Sequence, residues 1–149
     1  RWILKAMLTP SDLEQLFTVA AEHAPFEMCG LMFDGYPLQL CTNMASDALH
    51  GFEISHEEYL RHVAGYGAAP WATVHSHPHG PAKISGRDML LLDAQAVVGN
   101  TMKMIIVGCK PMEIRIYAKV DDPLRPYRCE WQWAPLPMEA TPICFAQNS

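Results

Sequence analysis

The sequence predicts an α/β domain. Helical apolar spacing recurs twice and a capping signal marks a third helix, β-rich runs lie between and after those helices, and the composition is globular. Half of the 149 residues are hydrophobic and 18% are charged, a mix that excludes disordered and fibrous chains. A chain of this length buries one sizeable core, so a single domain is expected.

The first helix is expected at about Pro10 to His23. Thr9 offers a capping hydroxyl, Pro10 suits the first helical position, and Ser11 and Asp12 follow near the positive end of the dipole. Leu13, Leu16, Phe17 and Ala20 recur at helical spacing, and Pro25 marks the stop. From Glu27, the run Met28 to Phe33 reads as a buried strand, Asp34-Gly35 as a hairpin turn, and Leu38 to Thr42 as the returning strand. Phe52 to Ile54 reads as a short third strand. Ser55 then caps a helix with Glu57 and Glu58 in its first turn, ending near Gly65.

Trp71 to His77 has the composition of a strand. Ser85 to about Val98 is a helix with Met89, Leu90, Leu92 and Ala96 available to a core, closed by Gly99-Asn100. Met104 to Val107, Ile114 to Lys119 and Tyr127 to Trp133 are β-rich and form a three-strand meander. The expected order is α-β-β-β-α-β-α-β-β-β. The domain is expected over residues 1–134, and the proline-rich residues 135–149 read as an extended tail or linker.

A net charge of −5 with no cluster of Lys and Arg excludes a phosphate-tracking surface, so nucleic acid is not an expected partner. No apolar run approaches the ~20 residues of a membrane-spanning helix, and no signal-peptide pattern opens the sequence. Five widely spaced cysteines without a C-x-x-C pair indicate neither a zinc ribbon nor a complete disulfide framework. A reducing cytoplasm is the expected compartment.

The chemistry gathers around His75-Ser76-His77. Alternate residues of a strand point the same way, so the two imidazoles converge at its carboxyl end, where Pro78 stops the ladder. Eleven residues after His77, Asp88 falls in the first turn of the next helix. Two neutral imidazoles and one carboxylate form a three-ligand set with room for a water, as in catalytic zinc sites. Such an ion acidifies water and polarises a carbonyl. Glu27 is the candidate base, provided its strand lies beside that of His75. Each piece has an ordinary reading alone, since Ser85-x-x-Asp88 is also a helix-capping box and an isolated Glu is usually solvated. Glu, then His-x-His, then Ser-x-x-Asp in a strand-to-helix context is far more specific.

The other histidines give less. His56-Glu57 begins like H-E-x-x-H, but Leu60 stands where the second His belongs, and His62 is off that face. His79 flanks the proposed site as a loop histidine; His23 and His50 carry no signal.

Glu27, His75-Ser76-His77-Pro78, the six-residue loop His79 to Ile84, and Ser85-Gly86-Arg87-Asp88 together resemble the JAMM, or MPN-positive, metallopeptidase family. Ala24 to Gly30, Phe52 to Ser55 and the His-Pro-x-Gly loop are most similar to compact prokaryotic and phage tail-assembly members. The resemblance implies an α/β/α sandwich around a curved mixed sheet of the cytidine-deaminase-like kind. It implies one zinc per chain on His75, His77 and Asp88, with Glu27 as acid/base and Ser85 as oxyanion support. It implies hydrolysis of an amide or isopeptide bond after the extended C-terminal tail of a ubiquitin-like, sulfur-carrier or phage tail protein, in the host cytoplasm if the chain is phage-encoded. Two rival readings remain: a non-catalytic scaffold of the same fold, and a cysteine peptidase pairing Cys29 with a histidine.

Overall fold

The computed structural model describes residues 8–99, 101–134 and 140–142. Helices α1 (Pro10–His23), α2 (His56–Tyr66) and α3 (Gly86–Val97) accompany strands β1 (Cys29–Met32), β2 (Gln39–Cys41), β3 (Ala72–His77), β4 (Lys103–Cys109), β5 (Met112–Lys119), β6 (Tyr127–Trp133) and β7 (Ala140–Pro142). The strands form one mixed sheet in the order β2-β1-β3-β4-β5-β6-β7. Only β3 and β4 run parallel, because α3 carries the chain back between them; the remaining neighbours are antiparallel.

Alternation along the central strands sorts side chains into two layers. Ile105 and Val107 of β4 join Val74, Ile114, Ile116, Trp131 and Trp133 beneath α1, which contributes Leu13, Leu16, Phe17 and Ala20. Met104 and Ile106 face the opposite way, towards Leu92 of α3 with Tyr117 and Cys129. On that same side α2 offers Tyr59, Val63 and Tyr66 to Cys29, Leu31, Phe33 and Cys41. The result is the expected α/β/α sandwich.

The helix starts follow the local chemistry. Thr9 and Asp12 form a reciprocal capping box at α1, with Pro10 at its first position. The Ser55 hydroxyl accepts the Glu58 amide at 3.0 Å to start α2, which ends on left-handed Gly67. No helix of the described residues is long and apolar enough to cross a membrane.

Two expectations need correction. Phe52 to Ile54 is an irregular segment, held by a backbone bond from the Met44 amide to the Glu53 carbonyl at 2.8 Å and by the Asn43 side chain, whose Oδ1 accepts the Ala45 and Glu53 amides at 3.0 and 3.1 Å. Part of the expected tail belongs to the sheet, since Ala140–Pro142 pairs antiparallel with β6 from Trp133 to Trp131. A margin strand tolerates the amide that proline lacks. Residues 135–139 and 143–149, including Cys144, lie outside the described residues, as does Asn100.

Leu16 is fully buried at the centre of the α1 face. Leu16→Ala is expected to destabilise the fold by about 2–5 kcal/mol through lost burial and a residual cavity, read as a lower midpoint in equilibrium urea unfolding.

Candidate metal centre

His75 and His77 occupy alternate positions at the end of β3 and reach the face covered by α3. The box that starts α3 supplies the third group: the Ser85 hydroxyl accepts the Asp88 amide at 3.1 Å, and the Asp88 carboxylate accepts the Ser85 amide at 3.0 Å. Asp88 is thereby clamped with one oxygen 3.0 Å from His75 Nε2 and the other 3.2 Å from His77 Nε2. The two Nε2 atoms lie 3.2 Å apart.

A backbone contact chooses the tautomer of His77. Its Nδ1 lies 3.0 Å from the Pro81 carbonyl, which can only accept, so the neutral ring keeps its lone pair on Nε2. Burial lowers the pKa of His75, against the pull of its Asp88 hydrogen bond, and favours the neutral ring. For His77 burial acts the same way, but hydrogen bonds to Asp88 and Pro81 outweigh it and raise the pKa. Burial also opposes charge on Asp88, yet contacts with both imidazoles hold its carboxyl far below the usual range. Tetrahedral ligands about 2.1 Å from a zinc ion stand roughly 3.4 Å apart, close to the 3.0–3.2 Å seen here. The N, N, O set therefore fits a metal ion, and these three residues can hold one.

Glu27 arrives from the opposite strand. β1 pairs antiparallel with β3, placing Cys29 opposite His75. One step earlier the Ser76 hydroxyl accepts the Met28 amide at 2.8 Å, and the Ser76 amide donates to the Met28 carbonyl at 3.0 Å. The condition set on Glu27 by the sequence is met. Its carboxyl lines a cleft of about 660 Å³ together with His77, Ser85 and Asp88, walled by Phe52, Ile84 and Leu91. Burial pushes its pKa from 4.5 up to about 7, with His77 pulling the other way.

Several residues of this architecture were given no role at the site by the sequence. The Asn43 amide group donates to the Glu27 and Gly51 carbonyls, both at 3.0 Å. Phe52 is held so that its ring stacks on His75, centroids 4.4 Å apart, and the Arg87 guanidinium donates to the His50 carbonyl at 3.2 Å. Across the cleft, Glu113 accepts the Ala82 amide at 2.9 Å, while the Tyr117 hydroxyl donates to the Ala82 carbonyl at 3.0 Å and accepts the Ile84 amide at 3.2 Å. This latch fixes the loop whose Pro81 carbonyl orients His77. Gly108 permits it, since a Cβ there would collide with the backbone of Pro81 and Ala82.

Other sequence candidates separate cleanly. His79 and His50 line the cleft, whereas His23 bonds the Val19 carbonyl within its own helix. Burial pushes the Cys29 thiol up to about 12, and its hydrogen bond runs to the Cys41 carbonyl. That is opposite to an activated thiolate beside an imidazolium, so the geometry does not favour the cysteine-peptidase reading.

A family profile for prokaryotic homologs of the JAB domain matches residues 10–119. Among solved structures, the solution structure of protein DSY2949 from Desulfitobacterium hafniense is similar, with a TM-score of 0.62 and 21% identity, covering 83% of this chain and 88% of that one. That likeness concerns the fold. No curated protein matches the chain.

Asn43→Ala removes the partners of four backbone groups and is expected to lower stability by about 1–3 kcal/mol, read by chemical denaturation. The Glu27 carboxyl adds a pH dependence. Between its ordinary value of 4.5 and its folded value of about 7, the folded chain retains a proton that the unfolded chain has released, so this group's contribution to stability falls as pH rises through that window. In chelator-treated protein, Glu27→Gln is expected to remove that fall. Parallel pH profiles for wild type and variant would show that Glu27 is not its source.

Proposed function

Because the chain belongs to the family of prokaryotic homologs of the JAB domain, we propose that it is a zinc-dependent peptidase or isopeptidase. The observation that carries this reading is the buried Glu27 carboxyl, pushed up to about 7 by burial, in the cleft lined by His77 and Asp88, on which His75 converges from the sheet. In the proposal the last three hold the ion, one per cleft. Zinc bound there supplies Lewis-acid polarisation of the scissile carbonyl and acidifies water.

The chain's own groups move the proton. Glu27 as carboxylate takes a proton from the water that attacks the amide carbonyl, then returns it to the departing amine as the C–N bond breaks. A pKa near the working pH suits a group that must both accept and donate. Ser85 lines the cleft, and its hydroxyl supports the oxygen on which negative charge develops. The substrate proposed for this cleft is a protein with an extended C-terminal tail, of ubiquitin-like, sulfur-carrier or phage tail type, met in the cytoplasm; the cleft's volume, about 660 Å³ beside Glu27, His77 and Asp88, supports an extended chain as ligand.

Elemental analysis checks the metal assignment: Asp88→Ala is expected to lose one equivalent of zinc per chain relative to wild type. Glu27→Gln is expected to retain that zinc while cleavage of ubiquitin-like fusion proteins falls about 100- to 10,000-fold, the range for loss of a general acid/base. Undiminished turnover by Glu27→Gln would overturn the assigned mechanism. A wild-type protein that never takes up zinc at this centre would favour a scaffold of the same fold.

A further inference from the structure

A second group of metal-ligating side chains lies outside the cleft, between β2 and α2. Cys41 closes β2, while Glu58 and His62 share one face of α2 at i,i+4 spacing. The Cys41 Sγ, a Glu58 carboxylate oxygen and a His62 ring nitrogen all lie within 4.8 Å of one another. We propose that these three residues form a second metal site, for a thiophilic divalent cation of the zinc type.

The arrangement has the marks of an ordered ligand set. Glu58 Oε1 is anchored by the Thr42 amide at 3.0 Å, an outer contact that orients the carboxylate. Its Oε2 stands 3.7 Å from His62 Nε2, too long for a hydrogen bond yet near the roughly 3.4 Å separating two tetrahedral ligands. The Cys41 thiol, which burial and the Glu58 charge keep protonated until an ion displaces the proton, donates a weak hydrogen bond to the Gln39 carbonyl at 3.6 Å. A thiolate and a carboxylate neutralise a dication, the thiol proton passing to solvent on binding. The sulfur distinguishes this set from the N, N, O centre and favours zinc, cobalt or cadmium over magnesium or calcium. The Glu58 and His62 side chains keep 15% and 21% of their surface exposed, so an ion can enter and a water can complete its coordination. Once bound, the ion staples the marginal strand β2 to α2, independently of the proposed peptidase centre.

Cobalt(II) is the probe, because its bond to a thiolate gives an intense near-ultraviolet charge-transfer absorption that a nitrogen-and-oxygen centre lacks. The full chain carrying His75→Ala and His77→Ala is titrated with cobalt(II). One equivalent bound with the charge-transfer band is expected. The band should disappear on adding Cys41→Ser, persist with Cys29→Ser, and require far more cobalt with His62→Ala, beyond the roughly 10- to 100-fold loss caused by removing an outer-shell partner. If the double variant does not fold by circular dichroism, Asp88→Ala serves as background and reads the same band. Absence of the band in the folded protein, or its survival in Cys41→Ser, would overturn the proposal and leave Glu58 as a hydrogen-bonding cap. Neither result bears on zinc at His75, His77 and Asp88.

Discussion

The candidate centre depends first on the register between β1 and β3. Ser76 enforces it twice, accepting the Met28 amide through its hydroxyl and donating its own amide to the Met28 carbonyl, at 2.8 and 3.0 Å. A slip by one residue would reverse the facing of every side chain on the strand. Glu27 would then leave the cleft, and Met28 and Met32 would abandon the layer beneath α1. The residue between the two histidines is therefore a positional lock: it points away from the metal-ligating side while holding the acid/base candidate to it.

Asp88 joins local folding to the chemistry of the cleft in a similar way. The same carboxylate that closes the capping box of α3 receives both histidine contacts. Its charge is favourable at the positive end of the helix, so the anion is stabilised by α3 and by the imidazoles together. Helix start and ligand set share one group, and a change that frays the first turn would disperse the donors. Opposite it, the Glu113 and Tyr117 latch holds the loop backbone from β5, giving His77 a fixed ring orientation without any further side chain in the cleft.

Local rules account for what could be read from sequence. The His-x-His alternation, the Ser-x-x-Asp box and the apolar stripe of α1 each lie within a few residues, and each stands where periodicity puts it. Partners far apart in the chain were not legible. Ser76 and Met28 are separated by 48 residues, and Glu113 and Ala82 by 31. Phe52 to Ile54 has strand-forming composition, but the Asn43 side chain takes the Glu53 amide that a ladder would use, and the Phe52 ring stacks on His75. At the other end, the prolines concealed a margin strand because composition reports the lost amide and not the strand's place in the sheet.

The sheet described here is bounded by β2 and β7, each three residues long, while the longer strands lie between them. Open strand margins are templates on which other chains can polymerise. Margins this brief offer few free amides and carbonyls, Pro142 lacks a donor at one of them, and the part of β6 that extends past β7 among the described residues is residues 127–130, with Arg128 and Glu130 as charged guards. The fold thus keeps its most apolar ladders away from self-association, a colloidal safeguard that leaves the cleft free to remain open.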